Sequence, residues 1–129
     1  MIIKIIGGAA FIIIILIIIY TYILIQVQKL PFNSPANFLE EGAPDNNQKT
    51  VVCIGNSITH GRVSYNYVNI LSERLGDHGY YFTNAGINGN LAYNVVKRLD
   101  KIIECDPDYV SVLIGTNDAN ASLSENNSA

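Results

Sequence analysis

The chain has 129 residues and a formal net charge of −3, from 8 Lys and Arg against 11 Asp and Glu. It carries no basic run, which removes nucleic acid from the partners to consider. Cys53 and Cys105 are too few for a disulfide framework and read as buried free thiols. No His/Cys cluster has metal-ligand spacing, so nothing calls for a metal or another cofactor.

The apolar residues are unevenly placed. Ile5 to Ile25 is almost wholly apolar, and about 20 such residues span a hydrocarbon core. Gly7 and Gly8 are tolerated in a membrane helix, and Thr21 can bond its own backbone. Tyr20 and Tyr22 fall where amphipathic rings favour an interface. The run is too long for the core of a cleaved signal peptide, and no A-x-A cleavage pattern follows it. Residues 1–29 therefore read as an uncleaved single-pass transmembrane signal anchor. Lys4 and the terminal amine oppose Lys29 in a near tie under the positive-inside rule. The short amino-terminal tail favours an extracytoplasmic position for the rest.

Residues 30–49 hold Pro31, Asn33, Ser34, Pro35, Gly42, Pro44, Asp45, Asn46 and Asn47. This mixture does not sustain a helix or a ladder and reads as a linker. Phe32, Phe38 and Leu39 can dock on the domain or on the membrane surface, but a spacer is the simpler reading.

Residues 50–129 read as one small α/β domain. Val51 to Ile54 is a short apolar run without alternation, as in a central strand covered on both faces. It runs into Gly55-Asn56-Ser57-Ile58-Thr59-His60-Gly61. Ser64 to His78 follows as a helix, with Val68, Leu71 and Leu75 in a stripe and Ser64 as its N-cap. Tyr80 to Thr83 is an aromatic strand, and Asn84 to Asn90 a turn-rich loop. Leu91, Val95, Leu99, Ile102 and Ile103 predict a second helix to about Glu104. Asp106-Pro107-Asp108 ends it. Tyr109 to Ile114 is a third strand, closed by Gly115-Thr116-Asn117-Asp118.

Strand, helix, strand, helix, strand with right-handed crossovers makes a parallel sheet with helices on its faces. The loops at 55–61, 84–90 and 115–118 then converge at the carboxyl edge, where open α/β sheets bind ligands. A single serine in such a turn is usually a turn or cap residue, but convergence changes its weight. Acyl transfer needs a nucleophile and preorganised donors for the developing oxyanion. Ser57 can supply the hydroxyl and its own N–H, Gly89 a second N–H, and Asn117 a carboxamide. An ordinary turn glycine and a loop-bracing asparagine are the structural alternatives for the last two.

At these residues the chain resembles the SGNH (GDSL-like) hydrolase family. Gly55-Asn56-Ser57-Ile58-Thr59 is similar to its nucleophile block. Asn84-Ala85-Gly86-Ile87-Asn88-Gly89-Asn90 is similar to its second block, with Gly89 at the oxyanion glycine. Gly115-Thr116-Asn117-Asp118 is similar to its third, with Asn117 at the oxyanion asparagine. The resemblance covers Thr50 to about Asn120. It implies a flavodoxin-like three-layer α/β/α fold, here partial with about three parallel strands and preceded by one transmembrane helix. It also implies a metal-independent esterase, lipase or carbohydrate deacetylase acting on a small-molecule, lipid or glycan ester.

Two departures stand out. Asn56 occupies a position where the family usually has aspartate. Nothing after Asn117 matches the Asp-x-x-His block that supplies the base and its orienting acid. His60 lies too close to Ser57 in sequence to be taken as its base, and His78 lies at a helix end. The expectation is an amino-terminal part of a longer hydrolase, or a truncated product, poorly active alone and with Tyr109 to Ile114 left as an apolar edge. A non-catalytic membrane-anchored module binding a glycan or acyl ligand in the same crevice is the alternative. A nucleotide binder ranks last, because no G-x-G-x-x-G or P-loop spacing is present. Asn120-Ala121-Ser122 and Asn126-Asn127-Ser128 fit the glycosylation pattern, which is common by chance.

Overall fold

Strand β1, Lys49–Gly55, runs through the middle of a parallel three-stranded sheet of order β2-β1-β3. The structure is a computed structural model that describes residues 2–42 and 47–126, with side chains over 11–42 and 47–123. The Pro44-Asp45-Asn46 part of the linker, the Lys4 side chain and the Asn127-Ser128 part of the Asn126-Asn127-Ser128 pattern lie outside these described residues. Strand β2 is Tyr80–Gly86 and β3 is Tyr109–Leu113. Gly55 pairs with Gly86 on one side and Leu113 on the other, so all three strands end level at the carboxyl edge.

The period-two alternation of β1 feeds two cores. Val52 and Ile54 pack with Ala85, Val95, Ile102 and Cys105 on one face. Cys53 packs with Val68 and Phe82 on the other, joined by the partly buried Val51, Leu71 and Leu75. The expected three-layer α/β arrangement and the central position of β1 are therefore both present. Cys53 and Cys105 are free and buried.

Several boundaries differ from the sequence reading. Helix α1 is Ile2–Gln28, and Thr21 Oγ1 bonds the carbonyls of Ile17 and Ile18, each at 2.9 Å. Its Phe11–Gln28 stretch is long and apolar enough to cross a membrane, a test that an amino-terminal signal sequence passes too.

The stretch after α1 is packed where a spacer was expected. Helix α2, Pro35–Glu41, begins with Ser34 as N-cap and Pro35 in its first turn, a pairing that pre-sets the first turn. Asn33 lies along the outer edge of β2, accepting from Asn84 N at 2.8 Å and donating Nδ2 to the Phe82 carbonyl at 3.1 Å. Phe38 stacks on Tyr81 with ring centroids 5.6 Å apart. Composition hides this because the stretch satisfies a strand edge with one asparagine, not a ladder.

After β1, α3 is Ser57–His60 and α4 is Tyr67–Leu75, followed by a 3₁₀ turn at Gly76–His78. The cap of α4 is Asn66, not Ser64, and its Oδ1 accepts from Asn69 N at 3.1 Å. Asparagine and serine cap comparably, so sequence does not separate them. The single helix expected over Leu91 to Glu104 is two, α5 at Ala92–Val96 and α6 at Leu99–Glu104. Helix α7 is Thr116–Asn126. The residues of β3 are exposed on both faces, with Val110 and Val112 about half or more accessible, the apolar edge that the sequence predicts.

Candidate active site

The site is built where β1 ends. Gly55 has no room for a side chain, since a Cβ there would lie 2.6 Å from the Leu113 carbonyl oxygen and would overlap Thr59 Oγ1. The chain turns at Asn56, whose buried carboxamide accepts from Ile58 N at 3.0 Å and caps α3. Ser57 is thus the first helical residue, half-buried, at the mouth of the carboxyl edge. First-turn N–H groups have no intrahelical acceptor. Asn56 takes that of Ile58.

Helix α3 is held from two sides. Asn84, fully buried in β2, donates Nδ2 to the Thr59 carbonyl at 2.9 Å and accepts from Gly86 N at 2.9 Å. Thr59 Oγ1 and the Tyr67 hydroxyl lie 3.1 Å apart and join α3 to α4. Burial raises the Tyr67 phenol above its ordinary value, and the Thr59 bond opposes this.

The remaining two loops are tied to this one. Ile87 N donates to the Gly55 carbonyl at 3.2 Å, and Asn90 N to the Ile87 carbonyl at 3.3 Å. Gly89 sits exposed in that turn at φ +74°, a conformation L side chains rarely adopt. Asn117, in the first turn of α7, donates Nδ2 to the Asn90 carbonyl at 3.0 Å. An amide nitrogen carries two donors, so one N–H remains. Asp118 reinforces the junction by accepting from Ala92 N at 3.1 Å through both oxygens. Ser57 and Asn117 therefore stand on loops joined through the turn that carries Gly89.

Arg98 is a positioning residue that the sequence reading missed. Its Nε donates to Asn90 Oδ1 at 3.0 Å and its Nη2 to the Gly55 carbonyl at 3.3 Å, clamping the second loop to the end of β1. Burial lowers its pKa. The signal was available: Leu91, Val95, Arg98 and Ile102 fall on one helical stripe, so Arg98 faces inward. Arg98 lies at the break between α5 and α6, as the residue that precedes α6.

Neither histidine takes the place of a base. His60 is 2 % exposed, and its Nε2 lies 3.2 Å from the Lys29 carbonyl, so the ring donates there. Its buried Nδ1 has no partner among the described residues. Burial lowers the His60 pKa, the Lys29 carbonyl partly offsets this, and Arg62 adds to the lowering. His78 is exposed in the 3₁₀ turn that precedes β2, at the opposite edge of the sheet. Among the described residues no group of three His, Cys, Asp or Glu side chains could hold a metal ion.

The model of the GDSL-like lipase/acylhydrolase family matches residues 53–129. A solved acetyl xylan esterase is similar at 33 % identity with a TM-score of 0.47, over 54 % of this chain and 38 % of that one. The chain thus spans well under two thirds of that structure. No curated protein matches.

Proposed function

The chain belongs to the GDSL-like lipase/acylhydrolase family, and from that premise we propose that it is a serine ester hydrolase with Ser57 as nucleophile. The observation that carries this reading is the join at the carboxyl edge. Ser57 heads α3, and the Asn117 carboxamide bonds Asn90, the neighbour of Gly89, at 3.0 Å.

In the proposed mechanism Ser57 Oγ attacks the acyl carbonyl and loses its proton to a general base. The N–H groups of Ser57 and Gly89 and the free N–H of Asn117 hold the oxyanion as the tetrahedral intermediate forms. Collapse expels the alcohol and leaves an acyl-serine ester, which water then cleaves. The placements of His60 and His78 argue against either as the base. The substrate is a small-molecule, lipid or glycan ester. We assign residues 1–29 as a membrane anchor, 30–49 as its connection, and 50–129 as the hydrolase domain on the extracytoplasmic side.

The test is fluorophosphonate labelling and p-nitrophenyl acetate hydrolysis, beside Ser57→Ala. One arm uses the full chain in detergent, and the other the longest reading frame that continues it. The extended arm is expected to label and turn over, with Ser57→Ala lowering turnover by at least about 10³-fold. Absence of Ser57-dependent labelling in both arms would overturn catalysis. A non-catalytic module binding glycan or acyl ligands in the same crevice would then take its place.

A further inference from the structure

The three loops of the candidate site are not the only structure at the carboxyl edge of the sheet. The end of α1 is fastened there too. Asn88 Nδ2 donates to the Val27 carbonyl at 2.7 Å, and His60 Nε2 to the Lys29 carbonyl at 3.2 Å. Arg62 Nη2 donates to Gln26 Oε1 at 2.9 Å. The three donors stand on α3 and on the loops that follow α3 and β2. The opposite edge, with Gln48 and the Gly76–Gly79 turn, bonds to itself instead.

From this attachment we infer that the edge carrying Ser57 is a lipid-facing surface, lying against the bilayer in which α1 is anchored. Gln26 to Lys29 closes the apolar run, so these residues mark the membrane–water boundary. Ser57 is one helical turn from His60, whose ring touches Lys29. The nucleophile is therefore on the order of 10 Å from the boundary, one turn of 5.4 Å plus a side chain.

The surface beside it has the composition of an interface. Phe32 is 74 % exposed, Val63 65 % and Tyr65 82 %. Phe32 also lines a cleft of about 700 Å³, together with Lys29, Arg62, Asn66 and Asn69 among others and with no carboxylate. Aromatic rings favour the headgroup level, and lysine and arginine favour anionic headgroups. Three features thus point the same way: a tether that ends at this edge, exposed rings beside it, and cations without acids. The substrate class that this placement favours is an acyl ester presented at the membrane surface. That last step rests on the hydrolase reading; the orientation rests only on α1 as an anchor.

The test uses the full chain in nanodiscs, with bimane on Ile58→Cys, Tyr65→Cys or Asp77→Cys. Cys53 and Cys105 are buried and leave the introduced thiol to react. Lipids with a nitroxide on the headgroup are expected to quench positions 58 and 65 at least about twofold more than position 77, which lies at the opposite edge of the sheet. Equal quenching, or stronger quenching at 77, overturns the inference. So does shielding of 58 and 65 from aqueous iodide without lipid quenching, which would mean that protein covers the patch. The readout needs no turnover, so this surface and the Ser57 chemistry stand or fall separately.

Discussion

Gly86→Ala is the sharpest probe of how the sheet positions the nucleophile. A Cβ on Gly86 would lie 2.6 Å from both His60 Cα and the Thr59 carbonyl carbon, and would overlap His60 N. These are backbone atoms of α3, not the tip of a flexible side chain. Carbon atoms settle at about 3.5–4.0 Å, so α3 must retreat by about 1 Å. Overpacking of this kind costs about 1–3 kcal/mol, and a backbone obstacle places the cost near the upper end. For a domain of about 100 residues this lowers Tm by about 10–20 °C. The same retreat displaces Ser57, and a misplacement of about 1 Å costs on the order of 10²-fold in rate.

The assay is near-UV circular dichroism melting of the full chain in detergent, which follows the tyrosines packed in the domain. Gly76→Ala is the matched control, because its φ of −55° is helical and its Cβ would meet nothing within 4 Å. That substitution is expected to be neutral or to stabilise by about 0.4–1 kcal/mol. If Gly86→Ala melts with Gly76→Ala, the close approach of β2 to α3 is wrong, and so is the account of what holds Ser57.

Asn84→Ala should destabilise by about 2–4 kcal/mol, because it strands the buried Thr59 carbonyl and Gly86 N–H together; a urea midpoint unchanged from the parent would refute this. His60 has a native pKa below its unfolded value of 6.5. Its contribution is therefore complete above pH 6.5 and is lost as pH falls toward the native pKa. Melting at pH 7.5 and 5.5 should show a fall that His60→Gln flattens, and an unchanged slope would argue against the buried neutral ring. Cys53 is fully buried, with its thiol pushed up to about 11. A disulfide reagent at pH 8 should leave Cys53 unmodified until the chain is unfolded in urea, whereas rapid native labelling would contradict the packing of β1.

The strands were legible because a short apolar run of strand length leaves a mark on composition. Val51 to Ile54 and Tyr109 to Ile114 are apolar runs of strand length; the first lies within β1, and the second is strand up to Leu113. The convergence of three loops followed from topology, and the structure joins all three. What escaped the sequence reading was held by single polar contacts. Asn33 pairs with β2 at 2.8 Å and turns an apparent spacer into packed chain. Arg98 occupies an apolar stripe and stands where one expected helix is divided into two. Asn66 takes the cap that Ser64 could equally have supplied. Periodicity reports which face is buried; it is blind to one side chain that satisfies a distant backbone group.

This division also explains why short motifs can specify a site so narrowly. Gly55, Asn56, Thr59, Asn84 and Gly86 are buried and occupied in shaping backbone, whereas Ser57, Gly89 and Asn117 keep some exposure. The braces set where α3 starts, and the exposed set can meet a ligand. Asn56 belongs to the first group. Its carboxamide is a helix cap, and asparagine and aspartate cap about equally well. Exchanging one for the other therefore alters a cap and not a reacting group. Variants of the two groups should accordingly fail in different ways. Asn84→Ala and Gly86→Ala should lose melting temperature and Ser57 labelling in proportion, because they reach the serine only through the backbone. Ser57→Ala should abolish labelling with melting unchanged. A brace variant that kept full stability but lost labelling would place that residue among the reacting groups instead.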